Sequence, residues 1–311
     1  MATPRFFVWL PGLLLLVATT ASGFNAELHQ KYTQRGIALY QHCAQLGAPF
    51  PAVSDDDLNA LALGTEMEDT TELFSRATHW HYAQGQAAWR DLWLLIPVPL
   101  KFEIHLHGIF DRRNTDLHRL AAGSSATWRR EHFERAGRVL HYIQDMRVPA
   151  HVIPIHHGGG GVKDGFDEFI FYYPEVLASF DQAQCQMIAA AVKLPCPECL
   201  QARLRTAMQA TTAMLTAAPA APDDVVAQCW REVFWCRPES GRECPGADYP
   251  GFGAYLSGNN SLRFGQIATA QCNGAKERFD EAAYHRFFAS SYRAMMEDIL
   301  FMLLYAVRLA E

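Results

Sequence analysis

The sequence predicts an all-α protein that folds as a single compact multi-helix domain. Three observations support this: apolar residues recur at helical spacing along several long segments, half of the 311 residues are hydrophobic, and no internal repeat divides the chain. A chain of this size and composition can bury a sizeable core. The formal charge of −6 argues against a broad basic surface for nucleic acid.

Residues 1–23 are predicted to be a secretory signal peptide. Arg5 precedes an apolar run from Phe6 to Ala18, and small residues follow that run. The run contains a Pro-Gly pair and is shorter than the ~20 apolar residues that a membrane span needs, which favours a cleaved signal over an uncleaved anchor. Cleavage after Ala21 or after Gly23 satisfies the small-residue rule.

The cysteine content supports export of the mature domain, residues 24–311, to a secreted or periplasmic location. All eight cysteines follow the signal, and an even number in an exported chain suggests disulfides. Cys196 and Cys199 form a CxxC pair without a second CxxC to complete a zinc knuckle, so a structural disulfide is the favoured interpretation. The pairing of the others is left open.

The N-terminal part of the domain predicts two helices. The first covers 24–45 and is closed by Leu46 and Gly47. The second begins at Ser54, a favourable N-cap followed by three aspartates that suit the positive end of the helix dipole. We expect it to end before Gly64 and to be followed by an acidic loop over 65–70.

Residues 92–110 predict an extended segment. They contain two prolines and an alternating tail, which fits a short hairpin or an irregular insertion near 92–115 rather than a helix. The apolar content of this segment suits contact with the core or a partner, or contact with a membrane surface or substrate.

The rest of the chain predicts mostly helix. A long helix with a buried apolar stripe extends from Ser125 to Met146. A Gly- and Cys-rich stretch near 236–275 is expected to be a loop held by disulfides. Further helices are expected at about 172–193, 198–217, 223–235 and 279–310.

Metal-capable side chains concentrate between residues 141 and 168. His141 and Asp145 are four residues apart on a helix, so both project from one face. Pro149 is expected to stop that helix and to place the following residues in an extended path. Imidazole and carboxylate are the donors that zinc takes in proteins, and their number suggests more than one ion. The candidates are His141, Asp145, His151, Asp164 and Glu168.

The segment from His141 to His151, HYIQDMRVPAH, resembles the signature of the zinc-dependent phospholipase C and S1/P1 nuclease family. That signature reads His, aromatic, two residues, Asp, three residues, Pro, one residue, His. In this all-helical family the terminal residue of the mature chain binds zinc through its backbone, and here Phe24 would precede His29 by five residues. The resemblance covers 24–168 in the family's order.

A third match joins Asp69 to a downstream His-aromatic pair, either His79-Trp or His81-Tyr, with His79 preferred. The resemblance then implies up to three zinc ions. The first would be held by Asp69, His79 or His81, His141 and Asp145. The second would be held by the Phe24 backbone, His29 and a bridging Asp145. The third would be held by His151, Asp164 and Glu168.

Two details qualify these ligand sets. Asp164 stands where the family has a histidine, which makes the third site more anionic, and His156 or His157 are alternative imidazole donors. Asp69 is also the candidate general base, in addition to its role as a ligand.

The resemblance implies a secreted zinc-dependent phosphodiester hydrolase of phospholipase C type, in which metal-activated water attacks a phospholipid or another phosphodiester. We expect a monomer, with membrane-surface contact through 92–110. Two alternatives stay open: a single-strand-preferring S1/P1-type nuclease acting on single-stranded nucleic acid, and a degenerate, non-catalytic relative that retains a partial metal site.

Overall fold

The structure, a computed structural model, describes residues 26–70, 106–121, 127–152, 172–216, 271–272, 275–276 and 281–311. This part of the chain is helical, which confirms the predicted fold class. Its helices are α1 (Ala26–Gln45), α2 (Asp55–Thr70), α3 (Leu106–Ala121), α4 (Trp128–Asp145), α5 (Pro149–Val152), α6 (Pro174–Ala178), α7 (Gln182–Ala191), α8 (Pro197–Thr216) and α9 (Glu281–Leu309). None of these helices combines the length and the apolar character needed to cross a bilayer.

The predicted helix boundaries near the N-terminus rest on two local signals that the structure confirms. Gly47 has a φ of +77° and ends α1, because the left-handed conformation costs glycine little. The Ser54 hydroxyl accepts a hydrogen bond from the Asp57 backbone N–H at 3.2 Å and caps α2.

The predicted end of the second helix before Gly64 is wrong, since α2 continues to Thr70. Gly64 is a close-packing position and not a helix terminator: a Cβ atom there would lie 2.1 Å from the backbone oxygen of Glu134 on α4. The acidic stretch that follows, predicted as a loop, is therefore the last turns of α2.

The predicted irregular insertion near 92–115 is wrong for its second half, because α3 begins at Leu106. The buried side chains of Phe110, Asn114 and Leu117 follow a spacing of four and three, which places them on one helix face. Residues 92–105 lie outside the described part of the chain.

Helices α4 and α9 form the centre of the core. Helix α4 packs against α2 and α3, and α9 packs against α1 and α4. The predicted apolar stripe of α4 is buried as expected. Helix α9 buries most of the side chains in its second half, among them the fully buried Met296, Ile299, Leu300, Leu303 and Leu304.

The segment predicted as one helix over 172–193 is divided into α6 and α7. Asp181 causes the division, because its side chain caps the new helix by accepting from the Gln184 backbone N–H at 2.8 Å. Helix α8 agrees with the prediction, whereas the helix predicted at 223–235 lies outside the described residues.

Two disulfides lie in the described chain. Cys43 on α1 is bonded to Cys185 on α7, and Cys196 is bonded to Cys199 at the start of α8, as predicted for the CxxC pair. Most of the predicted Cys-rich loop lies outside the described residues. Its last part contains a two-residue antiparallel ladder, Gln271–Cys272 with Ala275–Lys276.

Candidate metal centre

Five of the predicted ligands come together from four helices. His29 lies on α1, Asp69 on α2, His141 and Asp145 on α4, and His151 on α5, and the exposed fraction of each residue is 1% or less. Packing of α4 against α2, and of α2 against α1, joins residues that are more than 100 positions apart in the sequence.

The short helix α5 differs from the extended path predicted after Pro149. Helix α4 ends at Asp145, and Pro149 then begins a single helical turn, a position where its missing N–H and fixed φ are favourable. The His151 backbone N–H donates to the Val148 carbonyl at 3.1 Å. This turn brings the His151 side chain back toward Asp145.

Two of the three distances around Asp145 match the separation between ligands of a shared cation. Its Oδ1 lies 3.3 Å from His29 Nε2 and 3.8 Å from His151 Nε2, and its Oδ2 lies 3.3 Å from His141 Nε2. Ligands bound tetrahedrally to zinc at 2.0–2.1 Å are separated by about 3.3 Å. Asp145 therefore faces histidine nitrogens with both of its oxygens.

Asp69 forms a second group with the two stacked histidines, His29 and His141. Its Oδ1 lies 3.8 Å from His141 Nε2, and its Oδ2 lies 3.9 Å from His29 Nε2. One ligand atom from each of these three residues falls within 4.8 Å of the others. The rings of His29 and His141 stack with centroids 3.9 Å apart. Nitrogen and carboxylate donors in this arrangement fit a zinc ion.

Hydrogen bonds at the opposite ring nitrogens fix which atoms face the carboxylates. The Nδ1–H of His141 donates to the Thr65 carbonyl at 2.7 Å, and the Nδ1–H of His29 donates to the Gln144 amide oxygen at 2.6 Å. Since a carbonyl oxygen only accepts, each neutral ring presents the Nε2 lone pair to the centre. This is the tautomer that a metal ligand requires.

Charge is concentrated at the centre. Burial by itself lowers the pKa of His141, but the carboxylates of Asp145 and Asp69 outweigh it and raise that pKa to about 10. Burial raises the pKa of Asp145, yet the charges of His151 and His141 hold it well below its usual range. The Asp145 carboxylate thus stays ionised and stabilises positive charge beside it, whether a proton or a metal cation carries that charge.

A neighbouring carboxylate, Glu68, anchors the end of α2 that carries Asp69. Its oxygens contact Arg113 at 2.8 Å and Arg138 at 3.0 Å, and accept from the Tyr142 hydroxyl at 2.7 Å. Burial raises the pKa of Glu68, but Arg113 and Tyr142 bring it below its ordinary value. Glu68 was not predicted; its only sequence signal is the acidic run around Asp69.

The other predicted ligands, Phe24, His79, His81, Asp164 and Glu168, lie outside the described residues, as do His156 and His157. Two further histidines, His118 and His132, have structural contacts with α9. His118 contacts the Tyr305 hydroxyl at 2.7 Å, and His132 donates to the Ala306 carbonyl at 2.9 Å.

Comparisons of the chain with protein-family models, with curated proteins and with solved structures found no match.

Proposed function

We propose that the protein is a secreted zinc-dependent phosphodiester hydrolase, related to the phospholipase C and S1/P1 nuclease family. The supporting observation is the position of Asp145, whose Oδ2 faces His141 while its Oδ1 faces His29 and His151. A carboxylate placed in this way suits a bridge between two cations. Paired cations are a recurrent arrangement in enzymes that cleave phosphate esters.

The charge of the described donors supports the same proposal. Asp69 and Asp145 carry two negative charges among three imidazoles that are neutral when they act as ligands, so one divalent cation balances the group. A second cation leaves the centre positive, which suits an anionic phosphodiester. Bound zinc supplies Lewis acidity and makes water nucleophilic at neutral pH. Asp69 is the residue that we assign as proton acceptor.

Phospholipase C-type cleavage is the first candidate, and a single-strand nuclease is the second. The nuclease is favoured by Tyr172, which exposes 57% of its surface and has the Arg35 guanidinium 4.8 Å from its ring centroid. An exposed aromatic ring beside a cation is a means of stacking an unpaired base and neutralising its phosphate.

The test uses the full secreted chain. Its zinc content is measured, and phosphatidylcholine and single-stranded DNA are then assayed with and without a chelator. We expect at least two zinc ions and chelator-sensitive cleavage of one of the two substrates. His141→Asn should abolish cleavage, whereas His118→Asn, at a histidine outside the centre, should retain it. A protein with fewer than two zinc ions that cleaves neither substrate would contradict the proposal and would indicate a non-catalytic relative.

A further inference from the structure

Gln144 lies between two ligands in sequence, directly before Asp145, yet its fully buried side chain contacts a ligand on another helix. Its amide oxygen accepts from His29 Nδ1–H at 2.6 Å. His29 is 115 positions away in the chain, so this contact joins α1 to α4 at the centre.

The amide nitrogen of Gln144 continues the contact into a chain of hydroxyl groups. It donates to Thr33 Oγ1 at 3.0 Å, and the Thr33 hydroxyl donates to Thr65 Oγ1 at 3.4 Å. The Thr65 hydroxyl in turn donates to the Ala62 carbonyl at 2.7 Å. The orientation of the amide is therefore determined at both ends, with its oxygen toward His29.

Thr65 is connected by hydrogen bonds to both His141 and His29, through different atoms. Its carbonyl accepts from His141 Nδ1–H directly, while its hydroxyl accepts from Thr33 in the chain that begins at His29. One residue of α2 thus fixes the tautomers of two stacked imidazoles on two other helices. Partners of this kind commonly orient a ligand histidine and tune its basicity.

We propose that Gln144 is a positioning residue for the metal centre and also sets its charge. The inference rests on the proposed zinc centre. The amide oxygen of Gln144 fixes His29 as an Nε2 ligand. Because the Gln144 side chain is neutral, the zinc-loaded centre stays positive enough to bind a phosphate-like anion. A carboxylate at this position would orient His29 equally well and would add a negative charge beside the centre.

Two substitutions separate these roles. Gln144→Met preserves the length of the side chain but removes the acceptor, whereas Gln144→Glu preserves the acceptor and adds charge. Thr211→Val is the matched control, because Thr211 is equally buried and its hydroxyl bonds the Met146 carbonyl at 2.7 Å without touching a ligand. Zinc affinity is measured by competition with a chromophoric chelator, and phosphate affinity by the visible spectrum of the cobalt-substituted full chain.

We expect Gln144→Met to weaken zinc binding by about 10- to 100-fold and to alter the cobalt spectrum. Gln144→Glu should bind zinc at least as tightly as the wild type, while its affinity for inorganic phosphate falls about tenfold or more. Thr211→Val should change neither affinity. The opposite direction of the two changes in Gln144→Glu is the signature of a charge-setting residue, which a merely structural role would not produce.

The proposal is overturned if Gln144→Met binds zinc within twofold of the wild type, or if Gln144→Glu binds phosphate as tightly as the wild type. Should Gln144→Met not fold, Gln144→Glu decides alone by the same criterion. A wild-type chain that binds no zinc overturns the proposed function as well. If the wild type binds zinc and neither substitution changes zinc or phosphate affinity, only the role of Gln144 is overturned.

Discussion

A Cβ atom on Gly137 would lie 2.8 Å from the Cα atom of Gly64, so the backbones of α2 and α4 touch where these two glycines meet. Thr65 follows Gly64, and His141 lies one helical turn after Gly137. The contact therefore places the Thr65 carbonyl at its 2.7 Å distance from His141 Nδ1. The absence of side chains at Gly64 and Gly137 therefore sets the position of His141, a predicted ligand.

Gly137→Ala should lower both stability and zinc affinity. The new Cβ would lie 2.1 Å from the backbone oxygen of Leu61, and no side-chain rotation relieves that overlap. Overpacking costs typically about 1–3 kcal/mol, and a backbone neighbour puts this site at the upper end. Denaturant unfolding and zinc titration measure the two effects.

Gly36→Ala is the control for this prediction. Its Cβ would lie 2.2 Å from the Ile299 side chain on α9, so Gly36→Ala should also lower stability by overpacking. Zinc affinity should stay near that of the wild type. A Gly137→Ala protein with wild-type stability would show that α2 and α4 separate without cost.

Asp69→Asn should separate the two roles assigned to Asp69. An amide oxygen still coordinates, although more weakly, but it no longer accepts a proton. If Asp69 is the general base, turnover should fall about 10²- to 10⁴-fold while zinc is still bound at saturating concentration. Metal analysis and steady-state kinetics on the same sample measure both quantities. Unchanged turnover with bound zinc would leave Asp69 a ligand only.

The metal-free protein should lose stability as the pH rises from about 6.5 to about 10. The Asp145 and Asp69 carboxylates outweigh burial and raise the folded-state pKa of His141 to about 10, above the ordinary 6.5. The protonated imidazole therefore contributes stability in full below about pH 6.5, and this contribution is lost as the pH passes through the folded pKa. Thermal unfolding in chelator measures this trend.

Zinc should reverse this trend. The cation takes the place of the proton at His141, so zinc binding releases protons and strengthens as the pH rises over the same interval. Unfolding curves with excess zinc should accordingly lack the decline seen in chelator. A metal-free protein whose stability is flat between pH 6.5 and 10 would contradict the role assigned to the two carboxylates.

Asp298→Asn should destabilise the fold by about 3–5 kcal/mol. The Asp298 carboxylate is fully buried between Arg147 Nε at 2.6 Å and Arg203 Nε at 2.5 Å, so its loss leaves a guanidinium buried without its counter-charge. Asp57→Asn is the matched control: its partner Arg129 has a side chain that is 42% exposed, and such a pair contributes about 1 kcal/mol or less. Equal losses in the two variants would contradict the argument.

The sequence predicted the parts of the centre that depend on local geometry. His141 and Asp145 share a face because four residues make about one helical turn. The approach of His29 and Asp69 to them depends on packing between α1, α2 and α4, which no spacing encodes, and it entered through the family resemblance. Gln144 was not singled out, since a residue that acts through a ligand leaves no periodic signal.

Glycine caused the clearest error in the predicted fold. A glycine such as Gly64 commonly marks the end of a helix. Here Gly64 lies within the helix, and its missing side chain allows close packing against α4. Local propensity does not distinguish these two uses. Local propensity also fails at Leu106–Phe110. The alternating pattern there predicts an extended segment, although Phe110 belongs to a buried helix face.

The Cys43–Cys185 disulfide fastens α1 near one end, and the predicted ligand His29 lies near the other. In the proposed zinc centre, the disulfide at one end of α1 and a cation bound near the other end would both hold this helix in place, so the two equilibria would be thermodynamically linked. Reduction that loosens α1 would then weaken zinc binding, and by reciprocity the zinc-bound protein would resist reduction by the same factor. The oxidation state of one cysteine pair and the occupancy of the centre would then report on each other.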